Sequence, residues 1–153
     1  MTTYQIRVEY LGTNFVGWQF QKNGLSIQEV LETALSKYLK ESIRVIGSGR
    51  TDSGVHASEQ SAHFKTKNKI NNIGIFLNAV NFFLKKHPVS ILNIQKRSNN
   101  FHARHSAKER VYKYFIINRP SSLAIDKNKA WHIKICLLYT SDAADERSSV
   151  DLG

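Results

Sequence analysis

The sequence predicts an α+β fold of the ferredoxin-like, split βαβ kind, an antiparallel sheet with two helices on one face. Three observations carry this. Tyr4-Gln5-Ile6-Arg7-Val8-Glu9-Tyr10 alternates apolar and polar residues, the period of a half-buried strand. Ser26-Ile27-Gln28-Glu29 is a capping box that opens a stripe of apolar residues at helical spacing. The full order reads strand, helix, strand, strand, helix, strand, strand, with no internal repeat.

In the first strand, Tyr4, Ile6, Val8 and Tyr10 are expected to face the core. Gly12-Thr13-Asn14 breaks it. The segment Phe15 to Lys22 then places two phenylalanines and Trp18 among glutamines and a lysine. Aromatics interleaved with amides and cations can stack on bases, and Trp18 is a candidate substrate contact. The other reading folds Phe15 and Trp18 back on the core, where large aromatics usually lie. The first helix carries Ile27, Val30, Leu31, Ala34, Leu35, Tyr38 and Leu39 as a core stripe. Ile43 to Gly49 reads as a second strand and Gln60 to Lys65 as a third. Ile73, Phe76, Leu77, Val80, Phe83 and Leu84 mark a second helix, capped by Asn71 or Asn72 and ended by His87-Pro88. Val89 to Ile94 is a further strand. Residues 107–118 read as the last, so rich in apolar residues that both of its faces are expected to be covered.

The chain has 153 residues, 41% of them hydrophobic, near the usual size of one domain. No apolar run is long enough to span a bilayer, and no charged-then-apolar leader opens the sequence. The single Cys136 excludes an internal disulfide framework and a cysteine-cluster metal site. These features predict a cytoplasmic protein with no membrane association. The net charge of +10 points to phosphate-bearing partners, nucleic acid first.

Gly49-Arg50-Thr51-Asp52-Ser53-Gly54-Val55-His56-Ala57 lies between two strands and gathers an arginine, a carboxylate, a histidine and two glycines. Asp-Ser-Gly by itself is ordinary turn chemistry. A carboxylate nucleophile, however, must be ionised near neutral pH, and an adjacent guanidinium favours that form. Arg50 would share a side with Asp52 if the chain stays extended. It could pair with Asp52, fill the space of a flipped-out base, or bind phosphate. His56 reads as a group that structures the loop. A second polar cluster, Phe101-His102-Ala103-Arg104-His105-Ser106-Ala107-Lys108-Glu109-Arg110, suits phosphate contact or a solvated edge equally. His102 and His105 lack a third ligand in any recognised metal pattern, so no metal is expected there.

Taken together, the Gly49–Ala57 motif, Phe101-His102-Ala103-Arg104 and Arg110-Val111-Tyr112-Lys113-Tyr114 resemble the tRNA pseudouridine synthase family of the TruA type. Tyr10-Leu11-Gly12-Thr13, Gly17-Trp18-Gln19 and Ser26-Ile27-Gln28 match the opening of that family, and the resemblance covers about residues 3–135. It implies an isomerase that converts uridine to pseudouridine in the anticodon stem-loop of tRNA without cofactor or metal. It implies Asp52 as the catalytic group, and Tyr112 as the residue that packs on the target base. Arg104 would lie near the site, orienting Asp52 or holding phosphate. With Arg50, His56, Phe101 and Trp18, these make up the expected substrate contacts. A homodimer is also implied. The competing readings are a ferredoxin-like RNA-binding module without chemistry and a metal-dependent nuclease. The first lacks an RNP1-type run, and the second lacks the extra carboxylates that hard cations need.

The resemblance also sets expectations for organisation. Residues 1–118 would form the aspartate-bearing domain, and 119–135 would begin the connection to a second, missing domain. From Cys136 the match stops and the composition turns acidic, with Asp142, Asp145, Glu146 and Asp151 close together. Residues 136–153 resemble translated adapter read-through and are expected not to belong to the natural protein.

Overall fold

The computed structural model describes residues 1–134, so the expectation for the tail at 136–153 lies outside the described residues. The chain divides into two units, Met1–Arg110 and a second beginning at Val111.

The first unit runs β1 (Thr2–Tyr10), α1 (Ile27–Leu39), β2 (Val45–Gly47), β3 (Ala57–Thr66), α2 (Ile73–Leu84) and β4 (Val89–Arg97), with a short 3-10 turn at Gly12–Asn14. The sheet order is β2-β3-β1-β4, and every neighbouring pair is antiparallel. This is the ferredoxin-like order that the sequence predicts.

Local chemistry explains the elements. Ser26 is the N-cap of α1, and its hydroxyl accepts the Glu29 N–H at 3.2 Å. Asn72 caps α2 in the same way, accepting the Ile75 N–H at 3.0 Å. Tyr4, Ile6, Val8 and Tyr10 are all buried, as their alternation requires. Ala62 and Phe64 of β3 join them under the apolar faces of α1 and α2. Phe76 of α2 stacks on Phe64 and meets Tyr38 of α1 edge-on, which locks the two helices over the sheet. Pairing of β1 with β3 slips between Val8 and Tyr10, beside the Gly49–Ala57 segment. A bulge there adds twist and re-aims the last side chain of the strand.

His63 lies between Ala62 and Phe64, so its ring emerges on the sheet face opposite the helices. There it is covered by Phe101 and His102, with ring centroids at 5.9 and 4.8 Å. Its Nδ1 accepts the Ala103 N–H at 3.1 Å. The basic segment after β4 is thus docked on the sheet through a neutral histidine.

The second unit pairs β5 (Ile116–Asn118) in parallel with β6 (Trp131–Ile133). The intervening chain turns at Asp126, whose carbonyl accepts two backbone N–H groups, and buries Leu123. The expected strand at 107–118 is corrected here. Only 116–118 is strand, and Val111, Tyr112, Tyr114 and Phe115 are exposed rather than covered on both sides. High β propensity does not make a strand without an edge to pair with; in 107–115 the pairing reaches only the Phe115 carbonyl, which accepts the Trp131 N–H at 2.7 Å, and among the described residues 107–114 form no strand pairing.

Candidate active site

The loop from β2 to β3 carries Asp52, and buried polar groups hold the backbone around it. Tyr10, at the end of β1, donates its hydroxyl to Gln60 Oε1 at 2.7 Å and lies 2.8 Å from Thr51 Oγ1. The tyrosine has one proton to give, so the Thr51 hydroxyl is the donor in the second contact. Gln60 Nε2 donates to the Gly49 carbonyl at 2.8 Å. The Thr51 carbonyl accepts the Trp18 N–H at 2.9 Å. Two of the three motif residues that precede Asp52, Gly49 and Thr51, are therefore tied to strands or to the 15–20 segment.

After Asp52, the Val55 N–H returns to the Asp52 carbonyl at 3.2 Å. Gly54 takes φ +81°, the left-handed conformation that this turn needs and that L side chains resist. Ser53 Oγ donates to the Phe15 carbonyl at 3.0 Å, and the Gly12 N–H donates to His56 Nδ1 at 2.9 Å. His56 thus structures the loop. Gly17 holds the other wall close: its φ is +113°, and a Cβ there would stand 2.6 Å from the Thr51 carbonyl oxygen.

The Asp52 side chain itself is exposed, and its carboxylate has no partner among the described residues. It lines an open cleft of about 510 Å³ with Val16, Gln19, Phe20, Gln21, Arg50, Thr51 and Ser53. Arg50 is exposed in the same cleft. Among the described residues it makes no ion pair with Asp52; the pairs present are Arg7–Glu59 at 2.6 Å and Arg44–Glu32 at 3.8 Å. The fixed backbone and unpartnered carboxylate leave Asp52 able to meet a substrate atom without breaking an existing contact.

Trp18 is not in the cleft. It is 4% exposed, packs on Tyr10 at 6.1 Å between ring centroids, and covers Gly47, where a Cβ would be 2.6 Å from the indole. The ring lies in the core, where the missing side chain at Gly47 makes room for it. Phe101 packs edge-on against His63, and the Arg97 guanidinium lies 5.5 Å from its ring centroid. Arg104 is exposed. Tyr112 belongs to the second unit and is exposed there.

Sequence reasoning missed three residues that build this region. Tyr10 and Gln60 sit at inward strand positions, where the pattern says core and says nothing of a polar handle. Arg110 donates to the Ser48 carbonyl through Nε and Nη2, at 3.2 and 2.8 Å, and to the Arg104 carbonyl at 3.2 Å. It ties the end of the basic segment to the entry of the Asp52 loop. A guanidinium's several donors in a fixed fork suit such bridging.

Burial, then the charges of His102 and Lys65, pushes His63 down to about 4. His102 is also lowered, by burial first and then by His105, Arg104 and Lys65. The His102 and His105 rings meet at a tilt, with centroids 4.3 Å apart. Among the described residues no group of three or more His, Cys, Asp or Glu side chains could hold a metal ion, and no helix is long and apolar enough to cross a membrane.

Comparison with known proteins accords with this geometry. The family described as tRNA pseudouridine synthase matches residues 6–106, which include most of the four-stranded sheet, the cleft and the Asp52 loop. A tRNA pseudouridine synthase A of Pelagibacter ubique (strain HTCC1062) is 55% identical over 133 residues, 87% of this chain and 54% of the relative. Its counterpart in Ehrlichia ruminantium (strain Gardel) is 48% identical over 84% of this chain and 52% of the relative. That of Ehrlichia canis (strain Jake) is 48% identical over 86% and 54%. The chain spans about half the length of these curated relatives. With the family match covering most of the chain and these identities alongside it, the chain belongs to the tRNA pseudouridine synthase family.

Proposed function

We propose that the full-length protein carrying this chain isomerises uridine to pseudouridine in the anticodon stem-loop of tRNA, with Asp52 as the nucleophile. The observation that supports this most is the Asp52 carboxylate, without a partner among the described residues, on a backbone-pinned loop in an open cleft, within a chain of this family. The reaction is an isomerisation, so nothing is gained or lost overall. The N1–C1′ bond breaks, a C5–C1′ bond forms, the C5 hydrogen leaves as a proton, and N1 ends protonated. A carboxylate can hold the sugar or the base as a covalent adduct while the base turns over. Arg50 and Arg104 would face RNA phosphate or the vacated base position, Phe101 would support the Arg97 edge of the RNA-facing surface, and Tyr112 would stack on the target base. A cytoplasmic homodimer acting without cofactor or metal completes the reading.

Tritium release from tRNA labelled at uridine C5 tests it. The full-length protein is expected to release tritium, and Asp52→Asn to lower the rate by roughly a thousandfold or more. An Asn variant that releases tritium at the parent rate removes Asp52 from the chemistry.

A further inference from the structure

Phe20 lines the cleft with Asp52 and is 51% exposed, whereas Phe15 and Trp18 of the same segment are 3% and 4% exposed. It stands on a rigid base. The Phe20 N–H donates to Gln28 Oε1 at 3.1 Å. Gln28 is itself buried, and its amide nitrogen donates to the Val45 carbonyl at 3.0 Å and to Glu32 at 2.9 Å. Its backbone N–H donates to the Trp18 carbonyl at 2.9 Å. Next to Phe20 in the chain, Gln21 Nε2 donates to the Val16 carbonyl at 3.1 Å, and Gln21 pairs with Gly24 in an antiparallel bridge. The segment is a closed hairpin bolted to α1 and β2, with one aromatic side chain left in solvent at the cleft wall. Arg50, exposed in the same cleft, supplies a cation within reach of an RNA backbone.

An exposed ring on a backbone fixed in advance is the arrangement that stacks a base at small entropic cost. We infer that Phe20 is a stacking platform for a nucleobase of the RNA, beside Asp52. This rests on the reading that the cleft receives RNA. Every base has a π-face, so the contact adds affinity and sets the position of the strand without selecting a sequence.

The test is binding of this chain to a short stem-loop RNA with uridines in the loop, and to the same RNA with those loop bases removed. The parent chain is expected to prefer the base-bearing RNA by about tenfold, with Phe20→Leu bringing the two affinities to within about twofold and Phe20→Tyr keeping the preference. Phe20 is exposed, so all three proteins should melt at the same temperature. A Phe20→Leu variant that keeps the full preference, or a parent chain that binds both RNAs equally, overturns the stacking role and leaves the RNA reading standing. A parent chain that binds neither RNA overturns the RNA reading, and the platform with it.

Discussion

The loop that carries Asp52 and the apolar segment 111–116 are opposites in how their order arises. The first is polar and glycine-rich, which by composition alone would suggest a loose turn. It is nonetheless held by Tyr10, Gln60, Trp18 and Phe15 through hydrogen bonds of 2.8–3.0 Å. The second is rich in β-branched and aromatic residues, which would suggest a well-buried strand. Yet Val111, Tyr112, Tyr114 and Phe115 are 63–89% exposed, and their backbone forms no strand. Satisfied buried polar groups confer order where propensity alone does not. The basic segment 101–106 falls between the two, docked at one buried point, His63.

That docking is the largest of the effects that can break this contrast. The His63 pKa is lowered to about 4 from the ordinary 6.5, so the unfolded chain binds the proton more readily than the folded one. The stabilisation is therefore complete above pH 6.5 and is lost as pH falls from 6.5 towards 4. On the order of 3 kcal/mol is at stake in urea unfolding of the chain across that range. A His63→Gln variant should flatten the pH dependence; a variant whose stability falls as steeply as the parent's would assign the slope to other groups.

Next in size is the pin on the Asp52 loop. Tyr10→Phe strands the Thr51 hydroxyl and Gln60 Oε1 and should cost about 1–3 kcal/mol of stability. In the full-length protein, with Asp52 in the proposed role of nucleophile, it should lower kcat by about tenfold or more at unchanged KM, because it shifts the Asp52 loop and leaves the exposed cleft residues in place. Thr51→Ser, which keeps the hydroxyl, should retain activity where Thr51→Val loses it. Equal kcat for Tyr10→Phe and the parent would reduce the network to a purely structural one.

The smallest effect is expected in the exposed segment. Tyr114→Ser should change the stability of this chain by no more than about 0.5 kcal/mol, because an exposed side chain away from special features has little to lose. A larger loss in thermal unfolding would mean that the segment is more ordered than its exposure indicates.

Much of this was legible in one dimension. Ser26 and Asn72 cap their helices because capping is a local matter of three residues, and the β1 alternation marks its buried face because strand geometry has a period of two. The Gly49–Ala57 motif forms the strand-to-strand loop that its flanking patterns predict, and Asp52 lines a cleft there. Other features were not legible, for reasons of distance and space. The Tyr10–Thr51 and Tyr10–Gln60 contacts join residues 41 and 50 positions apart. Trp18 and Phe20 are both aromatic and two residues apart, and no pattern in the chain says which is buried.

The sequence by itself therefore determined the elements of the first unit, their caps and their order, because these depend on short-range spacing and residue chemistry. Only the tertiary structure decided which aromatic faces the cleft and which strand residues steady the loop. The gap left by Gly47 admits Trp18 and so leaves Phe20 as the exposed ring. The pairing of β1 with β3 brings Tyr10 and Gln60 to the loop. Both outcomes follow from volume and register between distant segments, which no local pattern encodes.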